Sequence, residues 1–212
     1  MDGIHNFGTF LISCVLLNIT PGSDTVLILS KSIAQGKKAG VITALGIGVG
    51  TIGHTLLAAV GLSLLISGSV ILFNIVKYAG AAYIIYLGIR MFFAQSAVEL
   101  KDDAASPEKQ MGDLFRDGFL TNILNPKVAL FFIAFLPQFI EPSYRSGVLP
   151  FIVLGLTFTT TGTIYCAILA LFAAEIFSHL REKPQFSLML NKICGSVLVF
   201  LGLYVALIKK AS

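Results

Sequence analysis

Long apolar runs alternate with short polar stretches along this chain, and six runs stand out, at residues 7–29, 40–66, 70–93, 118–140, 147–174 and 187–208. A helix crosses the hydrocarbon core of a bilayer in about 20 residues, and several of the runs are longer. The pattern predicts an all-α integral membrane protein with about six transmembrane helices. The longest hydrophilic stretch, residues 95–117, divides the chain into a first unit at 1–94 and a second at 118–212, each with three of the runs. That stretch carries Lys101-Asp102-Asp103 and Pro107-Glu108-Lys109 and reads as a solvated surface loop.

Composition sharpens this picture. The 212 residues are 56% hydrophobic and 12% charged, against about 25% charged in soluble domains, and the mean hydropathy is +0.87. A formal net charge of +4 does not point to nucleic acid, because the basic residues form no contiguous stripe. They report topology instead, since cytoplasmic loops are enriched in Lys and Arg. With the N-terminus outside, the inner side holds Lys31, Lys37, Lys38, Arg90, Lys101, Lys109, Arg116, Arg181 and Lys183, against Arg145, Lys209 and Lys210 outside. Both termini are therefore expected outside, with the Lys209-Lys210 pair discordant. The opening residues lack a basic region and a cleavage site, so a cleaved signal peptide is not expected. Cys14, Cys166 and Cys194 lie singly inside apolar runs and read as small hydrophobes rather than a disulfide framework.

The two units resemble each other. Asn18-Ile19-Thr20-Pro21 resembles Asn122-Ile123-Leu124-Asn125-Pro126, and Gly46 and Gly53 share their spacing with Gly155 and Gly162. Lys77-Tyr78-Ala79-Gly80 matches Lys192-Ile193-Cys194-Gly195, and Tyr86-Leu87-Gly88 matches Phe200-Leu201-Gly202. The echoes keep their order along the chain. A unit of three crossings is odd, so the second must insert upside down relative to the first. That is the 3+3 inverted repeat of many secondary transporters.

In such proteins, Gly/Pro-interrupted segments at matched positions mark the substrate site. Here they are Thr20-Pro21-Gly22-Ser23-Asp24-Thr25 and Asn122-Ile123-Leu124-Asn125-Pro126-Lys127. Proline has no N–H, so the carbonyl one turn back is freed, and polar backbone at membrane depth needs a partner. The helix restarting after Pro21 offers its N-terminal amides to a carboxylate. Asp24 is the one carboxylate well inside the first three runs. Three roles are open to it: binding a substrate ammonium, carrying a coupled proton, or capping the restarted helix. Lys127 can neutralise Asp24, meet a substrate carboxylate, or snorkel to the interface. His54, in the middle of the second run, can serve proton coupling or simply bond a neighbouring helix. Glu175 and His179 read as interfacial. The glycines at 40, 46, 48, 50 and 53 read as a close-packing surface. The threonines at 157, 159, 160, 161 and 163 serve either interhelical bonds or a polar lumen. No zinc-protease, nucleophile-elbow or phosphate-loop motif occurs, so no catalytic residue, metal or cofactor is expected.

Thr20-Pro21-Gly22-Ser23-Asp24-Thr25, Gly36-Lys37-Lys38-Ala39-Gly40 and Gly46-x-Gly48-x-Gly50 resemble the N-terminal signature of the LysE/RhtB family. Asn125-Pro126-Lys127 followed by Phe131-Phe132 and Phe135-Leu136-Pro137-Gln138-Phe139 resembles its second signature. The resemblance covers essentially the whole chain. Ser23 departs from it, standing where many members have a second proline. The resemblance implies a multi-pass exporter of the bacterial cytoplasmic membrane, acting on amino acids or small derivatives such as homoserine lactones and driven by protons. It implies a substrate site at Pro21, Gly22, Asp24, Asn125, Pro126 and Lys127; the residues themselves add Asn18 to that site and give Asp24 and His54 as proton-coupling candidates. The expected partners are the small-molecule substrate, membrane lipid and protons, with a homo-oligomer allowed and nucleic acid not expected. The alternative reading is a small membrane channel or assembly factor whose helix breaks serve packing alone.

Overall fold

The computed structural model describes residues 3–62, 70–94, 109–141, 147–173, 175–176 and 184–207, which are almost entirely helical. The apolar run at 7–29 forms two helices, α1 (Phe7–Ile19) and α2 (Ser23–Gln35), bent by 51° at Thr20-Pro21-Gly22. Gly36 ends α2 at φ 83°, a left-handed value that glycine adopts freely, and α3 (Lys37–Leu57) follows at once, widening into a π turn at Ala58–Leu62. Next comes α4 (Val70–Phe92).

The second unit begins with α5 (Met111–Ile123) and α6 (Pro126–Leu130). α6 continues through a π turn (Phe131–Phe135) and a 3-10 turn (Leu136–Phe139), and the pair is bent by 45°. α7 (Val148–Leu171) and α8 (Pro184–Leu207) complete the described chain. α5 starts inside the stretch read as a loop, because Asp113 in its first turn suits a helix N-terminus and Lys109 pairs with Asp117 at 2.6 Å. Residues 95–108 of that stretch lie outside the described residues, as do His179, Arg145, Arg181, Lys183, Lys209 and Lys210.

Small residues decide how the helices meet. A Cβ on Gly46 would strike the Phe115 carbonyl, and one on Gly118 the Thr43 carbonyl, so α3 and α5 touch backbone to backbone. Gly50 and Gly53 continue this seam to Asn122 and Ile123, which makes the two helices parallel. α3 runs antiparallel to α7, with Gly40 at Ala170, Gly48 at Thr163 and Thr55 at Gly155. α4 and α8 are also antiparallel, crossing where Gly88 meets Gly195 and Ala81 meets Gly202. The glycine series is therefore a packing surface, as its spacing predicts.

Polarity is arranged inside out. Thr20, Thr43, Thr51, His54, Asn122, Asn125 and Asn191 are buried, while Ile71 is 74% exposed, Leu149 69% and Phe200 67%. Apolar side chains over the outer surface face hydrocarbon in a membrane protein. Among the described residues, Lys37–Gly61 and Val148–Leu171 are each long and apolar enough to cross a membrane, and the two bent pairs raise that number to four. A phenylalanine cluster fills one end of the bundle. Phe131 stacks on Phe158 at 4.6 Å and on Phe135 at 4.9 Å, and Phe10 meets Phe139 edge to face at 5.2 Å. Beside it, His5 donates its backbone N–H to the Phe139 carbonyl at 3.0 Å.

Candidate functional site

Pro21 denies the Leu17 carbonyl its usual partner, the N–H four residues on. The chain then turns extended through Thr20 and Gly22, which frees the Thr20 carbonyl as well. Both are met from the other unit: the Lys127 ammonium donates to Thr20 O at 2.9 Å and to Leu17 O at 3.4 Å. Gly22 leaves room for this, since a Cβ there would stand 3.3 Å from Lys127 Nζ.

The second break is finished locally. Pro126 occupies the first turn of α6, where a missing N–H costs nothing, and Asn125 caps that helix by accepting the Lys127 backbone N–H at 3.0 Å. The Asn125 amide donates to Asp24 Oδ1 at 3.0 Å, and the Asn122 amide donates to Asp24 Oδ2 at 2.8 Å. Ser23 Oγ adds a longer bond to Oδ1 at 3.4 Å. Asp24 and Lys127 are thus not bonded to each other. The carboxylate of the first break rests on amides of the second, and the ammonium of the second rests on carbonyls of the first.

A third layer orients Asn122. Thr51 Oγ1 lies 3.2 Å from Asn122 Oδ1 and donates to it, while also reaching the Ile47 carbonyl at 3.1 Å. His54 Nε2 is 3.1 Å from the Asn122 carbonyl. A carbonyl only accepts, so Nε2 carries the hydrogen. The imidazole also stacks on Phe132 at 5.7 Å. His54 is therefore linked to Asp24 through one residue, Asn122. On the other side, the Asn18 amide donates to Thr161 Oγ1 of α7 at 3.2 Å. Thr157, Thr159 and Thr161 donate back to carbonyls of their own helix, so Thr161 is the member of the cluster joined to the break.

Two cavities flank Lys127. The larger, about 470 Å³, is lined by Thr20, Pro21, Gly22, Ser23, Asn125, Pro126 and Lys127, with Arg90, Asn191, Val26, Leu87, Met91, Ala94 and Leu198 opposite. It lies at the end of the bundle where α4 finishes, away from the phenylalanine cluster. The smaller, about 30 Å³, lies between Asn18, Asp24, Thr51, Asn122, Lys127 and Tyr165. A water needs about 10–15 Å³ of such space, so it has room for two or three waters.

Five of the seven expected substrate-site residues thus share the larger cavity. Asn18 and Asp24 face the smaller one, and His54 lines neither. Thr51, Arg90 and Asn191 are additions to the expected site, and Asn122, which opens the second break segment, joins the seven expected side chains. Asn122 carried a signal, because it is the repeat partner of Asn18. Arg90 and Asn191 carried none: they reach the cavity only through the crossing of α4 and α8.

A family model described as LysE type translocator matches residues 15–209. The chain is similar to an uncharacterized membrane protein, YrhP, of Bacillus subtilis (strain 168), with 33% identity over 94% of this chain and 98% of the relative. It is 31% identical to an uncharacterized membrane protein of Vibrio cholerae serotype O1 (strain ATCC 39315 / El Tor Inaba N16961), over 97% of this chain and 98% of the relative. It is 30% identical to a leucine efflux protein of Salmonella choleraesuis (strain SC-B67), over 94% of this chain and 93% of the relative. No solved structure matches the chain.

Proposed function

The chain belongs to the LysE type translocator family, and on that premise we propose that it is a secondary-active, proton-coupled exporter of amino acids with apolar side chains. The observation that carries this reading is the pair of cross-bonded helix breaks beside a cavity of about 470 Å³, a size within the range of small-molecule sites. The cavity is amphiphilic in the way such a substrate is. Leu87, Met91, Leu198 and Val26 suit an aliphatic side chain, and Arg90 with the N-terminal end of α2 suits a carboxylate. The leucine efflux relative makes leucine the first substrate to try.

The architecture proposed with it is a six-helix, 3+3 inverted repeat with both termini outside. The antiparallel pairs α3/α7 and α4/α8 and the parallel pair α3/α5 support it, because those directions follow when one unit of three crossings is inverted against another. In that topology the cavity opens to the cytoplasm and the phenylalanine cluster closes the outer end, an inward-facing state. The proposed proton-coupling groups are Asp24 and His54, held in one network by Asn122, whose side-chain amide donates to Asp24 and whose carbonyl accepts from His54. A charged side chain at the bilayer centre costs about 2.5–3.5 kcal/mol on insertion scales, and two amide donors on Asp24 would offset part of such a cost. Counterflow in proteoliposomes tests the transport reading: exchange of labelled leucine that saturates is expected. Flux that grows linearly with concentration, without exchange, would replace the carrier by a channel. Reporter fusions at Ser212 and near Ala104 should fall on opposite sides.

A further inference from the structure

The Lys127 ammonium has an unusual setting. Its two bonds go to backbone carbonyls, Thr20 O at 2.9 Å and Leu17 O at 3.4 Å, while the nearby carboxylate of Asp24 is taken up by the amides of Asn122 and Asn125. Those carbonyls exist as free acceptors only because the first helix breaks: Pro21 has no N–H for Leu17 O, and the extended Gly22 carries the chain away from Thr20 O. Unpaired carbonyls at membrane depth cost several kcal/mol each, so the break is stable only with a donor or a cation on them. Gly22 keeps the space clear, and Lys127 borders both cavities.

We infer that the Leu17 and Thr20 carbonyls form a binding site for a small monovalent cation, and that Lys127 fills it as a tethered alkylammonium reaching in from the second unit. The ligand class follows from the donors. An ammonium is satisfied by two carbonyls and leaves its third N–H to the larger cavity, whereas a hard metal cation takes six or more oxygens or keeps its waters. The site is therefore selective for a primary ammonium over sodium. It also gives Lys127 a task that neutralising Asp24 or holding a substrate carboxylate would not: closing the broken end of α1 and pinning one unit to the other.

Chemical rescue tests this without relying on transport. Lys127→Ala removes the atoms of an n-propylammonium ion. The purified variant should melt below the native protein and regain stability on titration with propylammonium chloride. The rescue should saturate, with a rise on the order of a few degrees. Sodium and choline chloride at the same ionic strength should give little, and the native protein, its site filled, should not respond to propylammonium. Equal responses of variant and native protein, or equal effects of the three salts, would overturn the inference. If Lys127→Ala does not fold alone, Pro21→Ala added to it supplies the missing N–H to Leu17 O, and the double variant should fold. A double variant no more stable than Lys127→Ala also overturns it.

Discussion

The two helix breaks are built from similar sequence but are completed in opposite ways. The break after Leu124 is closed mainly by its own residues, with one added bond from His54: Asn125 caps α6 and returns its N–H to the Asn122 carbonyl, and Pro126 stands where no N–H is wanted. The break after Thr20 has no side-chain cap at Gly22, and its carbonyls depend on a lysine more than a hundred residues away. One break is rigid by local chemistry, and the other is held by a removable contact between the units. On the proposed carrier reading, one cavity is exposed to two sides in turn, and the borrowed closure is the one that such a cycle can open and remake.

The largest effect is expected at the contact that runs the other way. Asp24→Asn keeps the side-chain size, but it turns one acceptor into an NH₂ group facing the amide of Asn122 or Asn125, two donors opposed. Export should fall at least tenfold in vesicles, and the loss of a charge-assisted bond, about 1.5–3 kcal/mol, should lower the melting temperature. The exchanged pair Asp24→Asn with Asn122→Asp restores the donor–acceptor match. Recovered stability without recovered export would separate the charge position that transport needs from the bond that folding needs. Full export by Asp24→Asn alone would move the coupling role away from Asp24, with His54 next.

Asn125→Ala removes the cap of α6 and one partner of Asp24 together. A cap is worth about 1 kcal/mol, so the melting temperature should drop by more than a simple cap loss explains. If the loss equals that of a cap alone, the bond to Asp24 contributes nothing.

The same substitution made at both breaks tests the comparison directly. Pro21→Ala provides an N–H that competes with Lys127 for Leu17 O, and transport should slow several-fold. Pro126→Ala changes a position whose N–H is free in any case, and both transport and melting should stay close to native. Equal effects at the two sites would end the distinction between a borrowed closure and a local one. The smallest effect is expected from Thr51→Val, which removes one hydroxyl bond to Asn122, worth about 0.5–1.5 kcal/mol. Melting should fall slightly while the substrate preference in counterflow stays the same.

Much of this was legible along the chain. The apolar runs mark the helices because a bilayer demands about 20 apolar residues per crossing, and Pro21 and Pro126 mark the breaks because proline lacks a donor wherever it stands. The glycines announced close packing. The pairing at the breaks was not legible. Asp24 and Lys127 invite the expectation of a salt bridge, and opposite charges near matched motifs offer no hint that amides and carbonyls take their places.

The sequence alone determined where the helices run, where two of them fail, and that the polar groups belong inside, since each depends on the covalent nature of nearby residues. The tertiary structure decided which partners those broken ends found. Asn122, Thr51 and His54 come together because Gly46, Gly50 and Gly118 let α3 and α5 approach to backbone contact. Arg90 and Asn191 reach the cavity because α4 crosses α8 at Gly88 and Gly195. Hydrogen bonds reach only about 3 Å, so which of several polar groups are joined depends on helix crossings that no local run of residues encodes.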